Sequence, residues 1–485
     1  MAAPRRVKMS AVDTAWLRMD RPQNLMMICG ILLFRKRLSL ARLRRVVEER
    51  FVVFRRFRER PREIATVAFW ESDPRFDVAR HVVRAALPAP VGRAELQAFV
   101  SDLAATPLDP THPLWQFHLV EHYDGGSALV CRIHHSYADG IALVRVMLSM
   151  TDASPKGPPA MPFAPRPRRD AENDDPLSAL LAPFSGVLGA ARKVGAKLVE
   201  KGADMWSDPA KAVALAGQGT AFTAEIAKLA LMPTDSPTRF KGVPGVGKRV
   251  AWTDPLPLSD VKAIGHALDA SVNDVLLSCV AGALRAYLAE KGDPTLDVMT
   301  RALVPVNLRP LDKAYKLGNQ FGLVFLDLPI GIDNPIERLY AVRANMNALK
   351  GSYQPVLALG LLAAMGSGPR TLQEMLLQAL ARNATSVMTN VPGPQQPLYL
   401  AGAPIDSLMF WVPQSGNIGM GVSIISYDGA VQFGVITDAG LCPDPERIAD
   451  RFGHEFETLV LTTLMAPWPR EGDLDPAAAE AAVAT

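Results

Sequence analysis

Runs of apolar residues in this chain switch between strand-like and helix-like spacing, which predicts a mixed α/β protein. Residues 25–34 are almost wholly apolar, and ten residues are too few to cross a bilayer as a helix. Arg5, Arg6 and Lys8 precede that run, but Arg18, Asp20 and Arg21 interrupt the approach, so it reads as a buried strand and not as a targeting segment. Within residues 39–57, Leu40, Leu43, Val46, Val47, Phe54 and Phe57 form an amphipathic helical stripe. Residues 114–121 and 127–133 read as two strands joined around Tyr123-Asp124-Gly125-Gly126, a hairpin signal, and a helix is predicted over 141–150. Residues 272–288 form the strongest helical pattern, with Leu276, Val280, Leu284 and Leu288 on one face. Strands are predicted at 301–306, 322–328, 385–391 and 408–412. A second hairpin runs from 422–427 through Asp428-Gly429 into 430–436, and a helix at 447–464 closes the pattern. The charge-free stretch 351–369 is broken by Pro355 and several glycines. Its apolar centre, 356–365, is too short for a membrane span and lies either against lipid or inside the protein.

Breaks in this pattern set the organisation. A chain of 485 residues exceeds one ordinary core, so two domains are expected. Residues 154–169 carry Pro155, Pro158, Pro159, Pro162, Pro165 and Pro167 among basic side chains, an extended linker. The low-charge, alanine-rich stretch 176–231 then reads as a helical crossover with an apolar character suited to a membrane surface. The division is therefore 1–153 for a first half, 154–238 for linker and crossover, 239–470 for a second half and 471–485 for an acidic, disordered tail.

Charge and cysteine usage narrow the field. A net charge of +3 is too small to imply a nucleic-acid partner, and no zinc-finger spacing or phosphate loop adds to that case. Locally, residues 35–62 hold twelve Lys/Arg against three Glu. That face meets CoA phosphates, anionic lipid headgroups or only solvent. Cys29, Cys131, Cys279 and Cys442 are scattered among apolar neighbours, which reads as free buried thiols in a reducing compartment, without a disulfide framework or metal-ligand spacing.

The candidate chemistry lies in His134-His135-Ser136-Tyr137-Ala138-Asp139-Gly140. Alternation along the strand puts His135 on the face of Leu129, Cys131 and Ile133, and His134 on the face of Arg132. A histidine at the strand's end is suited to take a hydroxyl proton and return it to a leaving group. Asp139 either orients the imidazole, anchors the turn through a distant arginine or caps the next helix; Gly140 would supply a tight turn. On the residues alone, packed or hydrogen-bonded structural histidines are the weightier reading.

This heptapeptide resembles the HHxxxDG signature of the chloramphenicol acetyltransferase-like, CoA-dependent acyltransferase superfamily. Pro113-Leu114-Trp115 stands upstream of it, and Ser271-Val272-Asn273-Asp274-Val275, Pro305-Val306-Asn307-Leu308-Arg309, Leu317-Gly318-Asn319 and Asn390-Val391-Pro392-Gly393-Pro394 follow in order. The series, spread from about residue 10 to 465, resembles the bacterial wax ester synthase/diacylglycerol O-acyltransferase family. Thr389 stands where that family usually has serine, another hydroxyl.

The resemblance implies two mixed-sheet α/β halves meeting along a central channel. His135 would be general base, with His134 supporting it and Asp139 serving structure through an arginine, for which Arg309 is the candidate. Asn273 would either donate to the substrate or oxyanion, or cap the helix after Asp274. Asn390 to Pro394 would form a rigid loop near the channel, and Trp115 would pack in the core. Acyl-CoA would be co-substrate, and a long-chain alcohol or diacylglycerol the acceptor, giving wax ester or triacylglycerol. Transfer would be direct, since no nucleophile-elbow pattern is present, and no metal or other cofactor is implied. The expected place is the cytoplasm, at the surface of membrane or lipid inclusions. Two alternatives stand beside this: a condensation-type acyltransferase fed by a carrier protein, and a lipid-binding protein that retains the fold without catalysis.

Overall fold

The computed structural model of the chain describes residues 5–157, 232–308, 318–319, 321–350, 354–367 and 370–466. Most of the linker, the crossover at 176–231, Arg309 and the tail from 471 lie outside the described residues.

Both predicted hairpins form. Trp115–Tyr123 and Gly126–His134 pair antiparallel, with Tyr123 opposite Gly126. Asp124 (φ 44°) and Gly125 (φ 73°) make the left-handed two-residue turn that a tight hairpin needs. Asp428 and Gly429 do the same between Met420–Tyr427 and Ala430–Asp438. The long helix Val272–Glu290 begins at a reciprocal cap: Ser271 Oγ accepts from the Asp274 N–H, and the Asp274 carboxylate accepts from the Ser271 N–H. It is also the one helix among the described residues long and apolar enough to cross a membrane, yet most of it is buried inside the protein. It packs between the second sheet and the helices Pro335–Leu349 and Pro445–Met465, as a core helix does.

Two seven-stranded mixed sheets carry the molecule. The first runs Val82–Ala85, Trp115–Tyr123, Gly126–His134, Met27–Phe34, Ala403–Trp411, Tyr399–Leu400, Thr151–Asp152. In the second, Leu256–Pro257, Ala430–Asp438, Met420–Tyr427, Ser386–Pro392, Thr300–Asn307 and Phe321–Leu328 are neighbours in that order, and Lys248–Trp252 joins at Ala430–Asp438. Two strands of the first sheet thus come from beyond residue 398. Ala403–Trp411 lies antiparallel to Met27–Phe34, from Ile405 opposite Phe34 to Trp411 opposite Cys29. Main-chain hydrogen bonds of one sheet therefore bind the two halves together. Each half has its own apolar core, and a third cluster, including Ile31, Val100, Trp252 and Trp411, fills the space between them.

The expected continuous helix over 39–57 is instead a helix at Leu40–Val46, a wider π-type turn through Phe51 and a short tight turn at Arg55–Arg58. Phe51 and Phe57 are six residues apart, roughly 240° around an ideal helix, so a straight helix would point them to different sides. The change of pitch stacks their rings at 4.0 Å and places Phe51 4.8 Å from Trp115. Burial of three large aromatics outweighs the helical preference of the segment.

The arginine excess in this region is partly internal. Arg50 meets Asp152 at 2.6 Å and Arg56 meets Asp13 at 3.1 Å, while Arg6, Arg60 and Arg62 converge on buried Glu71 at 2.8–3.3 Å. Burial pushes the Glu71 carboxyl up, but those guanidinium groups outweigh it and hold it below the usual range. Lys36, Arg37, Arg42 and Arg45 remain exposed and, among the described residues, without an ion pair. All four cysteines are free and buried as expected, and burial pushes the Cys442 thiol up to about 11.

Helix Gln354–Ser367, the apolar run of uncertain place, packs against helix Ala11–Arg18 inside the protein. Contact is so close that a Cβ on Gly366 would lie 1.6 Å from the Ala11 carbonyl oxygen. Gly366→Ala should force the helices apart and cost about 1–3 kcal/mol, seen as a lowered melting temperature. Gly360→Ala on the same helix, where a Cβ meets nothing within 4 Å, should leave melting unchanged or slightly raised.

Candidate active site

His135 follows the last residue of strand Gly126–His134, and Asp139 caps helix Gly140–Ser149, so the heptapeptide is a strand-to-helix turn. This turn is buried: His134, His135, Ser136 and Asp139 are all at most 6% exposed. Its main-chain polar groups therefore need protein partners. The His135 N–H donates to the Met26 carbonyl at 2.7 Å and the His134 N–H to the Leu114 carbonyl at 2.9 Å. The Tyr137 hydroxyl accepts from the Leu114 N–H and donates to the Glu59 carbonyl. Pro113-Leu114-Trp115 is thus scaffold, and Trp115 is core as expected, with its Nε1 donating to the Phe57 carbonyl at 2.8 Å.

The two histidines diverge as strand alternation requires. His134 Nδ1 lies 2.9 Å from Ser136 Oγ and accepts from the Ser136 N–H at 3.1 Å, a supporting arrangement. The His135 ring stacks on Trp16 at 4.1 Å with 20° between planes, and Phe321 lies 5.6 Å away. Trp16 belongs to helix Ala11–Arg18 and Phe321 opens strand Phe321–Leu328, so the ring sits where the two halves meet. Burial, the largest influence, pushes its pKa down to about 4. Its own carbonyl and the Asn319 amide pull upward, and neighbouring His134 pushes down. The ring is neutral at pH 7, and among the described residues its Nδ1 has no hydrogen-bond partner.

Asp139 accepts from the Ala142 N–H at 2.9 Å, the ordinary N-cap role, and makes no hydrogen bond to the imidazole. Its expected partner, Arg309, lies outside the described residues. Gly140 does not supply a tight turn. It is the first helical residue, its φ is not in the left-handed region, and a Cβ there would meet nothing within 4 Å. Glycine here leaves open space beside the motif.

Asn273 is not the helix cap, because Ser271 and Asp274 fill that role. Asn273 Oδ1 instead accepts from Asn390 Nδ2 at 2.6 Å. Asn390 lies within strand Ser386–Pro392, opposite Ile424, and only Gly393 and Pro394 of the expected loop leave the sheet. The structure brings Asn273 and Asn390 together, though neither hydrogen-bonds the His135 ring.

Sequence reasoning missed Asp13, Trp16, Arg56 and Phe321 and gave Asn319 no role. One signal was available: Ser10 three residues before Asp13 is a helix-start pattern, and Asp13 and Trp16 at i, i+3 share a face. Two open clefts, of about 630 and 520 Å³, lie elsewhere, around Asp333 and Glu455 and around His266 and Arg343.

Comparison with known proteins agrees with the motif series. The model of the wax ester synthase/diacylglycerol acyltransferase catalytic domain matches residues 9–276, and that of the WS/DGAT C-terminal domain matches 317–460. A putative diacylglycerol O-acyltransferase of Mycobacterium tuberculosis (strain ATCC 25618 / H37Rv) is 30% identical over 418 residues, 83% of this chain and 79% of that protein. Among solved structures, the wax ester synthase/diacylglycerol acyltransferase from Marinobacter aquaeolei VT8 aligns with a TM-score of 0.65 at 22% identity, covering 95% of this chain and all of that one. The trichothecene 15-O-acetyltransferase of Fusarium sporotrichioides shares the fold at 0.57 and 12% identity, covering 94% and 95%.

NMR titration of His135 should give a pKa about 4; a value near 6.5 would contradict the buried, neutral ring. Between those two values the unfolded chain binds a proton that the folded ring refuses. Its contribution to stability is therefore complete above pH 6.5 and declines as pH falls towards 4, measurable by denaturant titration across that window. Gly140→Ala should leave the melting temperature unchanged or raised, so any activity it removes reports the space it fills.

Proposed function

The chain belongs to the wax ester synthase/diacylglycerol acyltransferase family and is an acyltransferase, and on that premise we propose that it transfers a fatty acyl group from acyl-CoA to a long-chain alcohol or diacylglycerol with His135 as general base. The observation that carries the reading is a neutral imidazole held at the junction of the two halves by Trp16 and Phe321.

In this reaction His135 Nε2 takes the hydroxyl proton as the acceptor oxygen bonds to the thioester carbonyl carbon. The carbonyl electron pair moves onto oxygen. When it returns, the C–S bond breaks, and the imidazolium gives its proton to the departing thiolate. Ester and free CoA leave, and the ring is neutral again. A base of pKa about 4 is weaker than imidazole in water. The negative charge that grows on the carbonyl oxygen and sulfur favours the imidazolium, so the ring strengthens as a base when it is needed. Direct transfer asks for no cofactor beyond acyl-CoA as co-substrate.

The apolar cluster that holds Trp16 and Phe321 against the ring, which includes Leu359, Leu362 and Met365 of helix Gln354–Ser367, suits lipid acceptors more than a carrier-protein-bound peptide. The unpaired exposed cations Lys36, Arg37, Arg42 and Arg45 suit the anionic surface of a membrane or lipid inclusion on its cytoplasmic side, where such substrates collect.

Incubating the purified protein with palmitoyl-CoA and either hexadecanol or a diacylglycerol should release CoA and form the matching ester. His135→Ala should lower kcat about 10²–10⁴-fold without unfolding the protein. If the variant esterifies at the wild-type rate, His135 is not the base. In the active protein the acid limb of kcat/KM should fall near pH 4 and not near 6.5, with circular dichroism confirming the fold at each pH.

A further inference from the structure

The buried turn around His135 is held by a set of groups that lie outside its own motif. Asn319 Nδ2 donates to the His135 carbonyl at 2.9 Å and to Asp13 Oδ1 at 2.9 Å. The Asn319 N–H also points to Asp13 Oδ1, at 3.3 Å. Arg56 donates to Asp13 Oδ2 at 3.1 Å and to the Tyr137 carbonyl at 3.3 Å, and its guanidinium lies 4.7 Å over the Trp70 ring. The Gly318 carbonyl accepts from the Asp139 N–H at 3.3 Å.

This geometry decides which way the Asn319 carboxamide points. A carboxylate only accepts hydrogen bonds, as does a carbonyl, so both neighbours demand the NH₂ end. With both Nδ2 hydrogens spent, Oδ1 faces elsewhere. It is buried and has no partner among the described residues. Among the described residues His135 Nδ1 is buried and without a hydrogen-bond partner as well, on the same residue whose carbonyl the amide holds, and that carbonyl and the Asn319 amide are the two groups that favour a proton on the ring. Asn319 Oδ1 is an acceptor that lacks a donor; His135 Nδ1 is a ring nitrogen able to donate. Asp13 itself is 1% exposed, on a helix whose Trp16 stacks on the same imidazole.

We propose that Asp13 and Asn319 are positioning residues: Asp13 locks the Asn319 amide with its oxygen towards His135, so that the imidazole keeps its proton on Nδ1 and presents the Nε2 lone pair to the acceptor hydroxyl. The inference rests on His135 acting as the base and adds what selects its tautomer. Arg56 neutralises the buried Asp13 carboxylate and secures the Tyr137 carbonyl, which keeps the pair in place. Neither Asp13 nor Asn319 touches substrate in this scheme; both act through the ring.

The test uses the full chain labelled with ¹⁵N-histidine. Loss of signals in His135→Gln identifies His135 among the eight histidines, and two-bond ¹⁵N–¹H correlations give its tautomer. The wild-type ring should carry its proton on Nδ1. Asp13→Asn and Asn319→Ala should shift it towards the Nε2-protonated form and lower kcat about 10–100-fold, with KM for acyl-CoA changed less than about threefold. A purely structural role would lower thermal stability while leaving the tautomer, and kcat per folded molecule, as in wild type; that result overturns the proposal. An Nε2-protonated ring in the wild type overturns it without any variant, so poor folding of Asn319→Ala does not shield it. If His135→Gln keeps full activity, the base assignment fails instead. If His135→Gln is inactive while both other variants retain wild-type kcat and tautomer, only the positioning role fails.

Discussion

A strand that ends inside the protein and turns directly into a helix leaves several main-chain N–H and carbonyl groups away from water, and each must find a partner. At 134–140 those partners come from far along the chain. Met26 and Leu114 supply carbonyls, Asn319 and Arg56 supply donors, and the Gly318 carbonyl receives the Asp139 N–H. Unmade, such bonds cost about 1–3 kcal/mol each. The turn therefore keeps its shape only when the loop at 318–319 of the second half and the helix Ala11–Arg18 of the first are both docked on it. The reactive ring and the union of the halves are one problem.

That union is reinforced where hydrogen bonds are least negotiable, in a sheet. Strand Ala403–Trp411 leaves its own half to lie beside Met27–Phe34, and the next main-chain contact along that strand is the His135 N–H on the Met26 carbonyl. Closure of the helix pair Ala11–Arg18 and Gln354–Ser367 over the same region depends on Gly366, which lets the helices approach nearer than any side chain permits. Trp16 is carried on one of those helices, so backbone spacing several residues away sets the plane of the imidazole.

Electrostatics follow from the same burial. An imidazole stacked on Trp16 beside Phe321 pays heavily for a proton and stays neutral, whereas the buried Glu71 carboxyl stays charged because guanidinium groups stand beside it. Much of the arginine run at 35–62 is spent in this way, on Asp13, Glu71 and Asp152. The exposed cations Lys36, Arg37, Arg42 and Arg45 are the part suited to an outside partner.

Both hairpins and the core helix were legible in the sequence, because they rest on local periodicity and on turn residues such as Asp124-Gly125 and Asp428-Gly429 that permit a left-handed backbone. The motif His134 to Gly140 was legible too, and strand alternation alone separated the two histidines. Local pattern could not show that Phe51 and Phe57 would break the helix to reach Trp115, since aromatic packing at long range overrode helical preference. Nor could it choose between Asn273 as a cap and Asn273 as a partner of Asn390, 117 residues away. Asp13, Arg56 and Asn319 carry no motif of their own that names a role. Their meaning arises when burial brings a carboxylate, a guanidinium and an amide against one turn, where unpaired polar groups are costly enough to fix which atom of each side chain faces which.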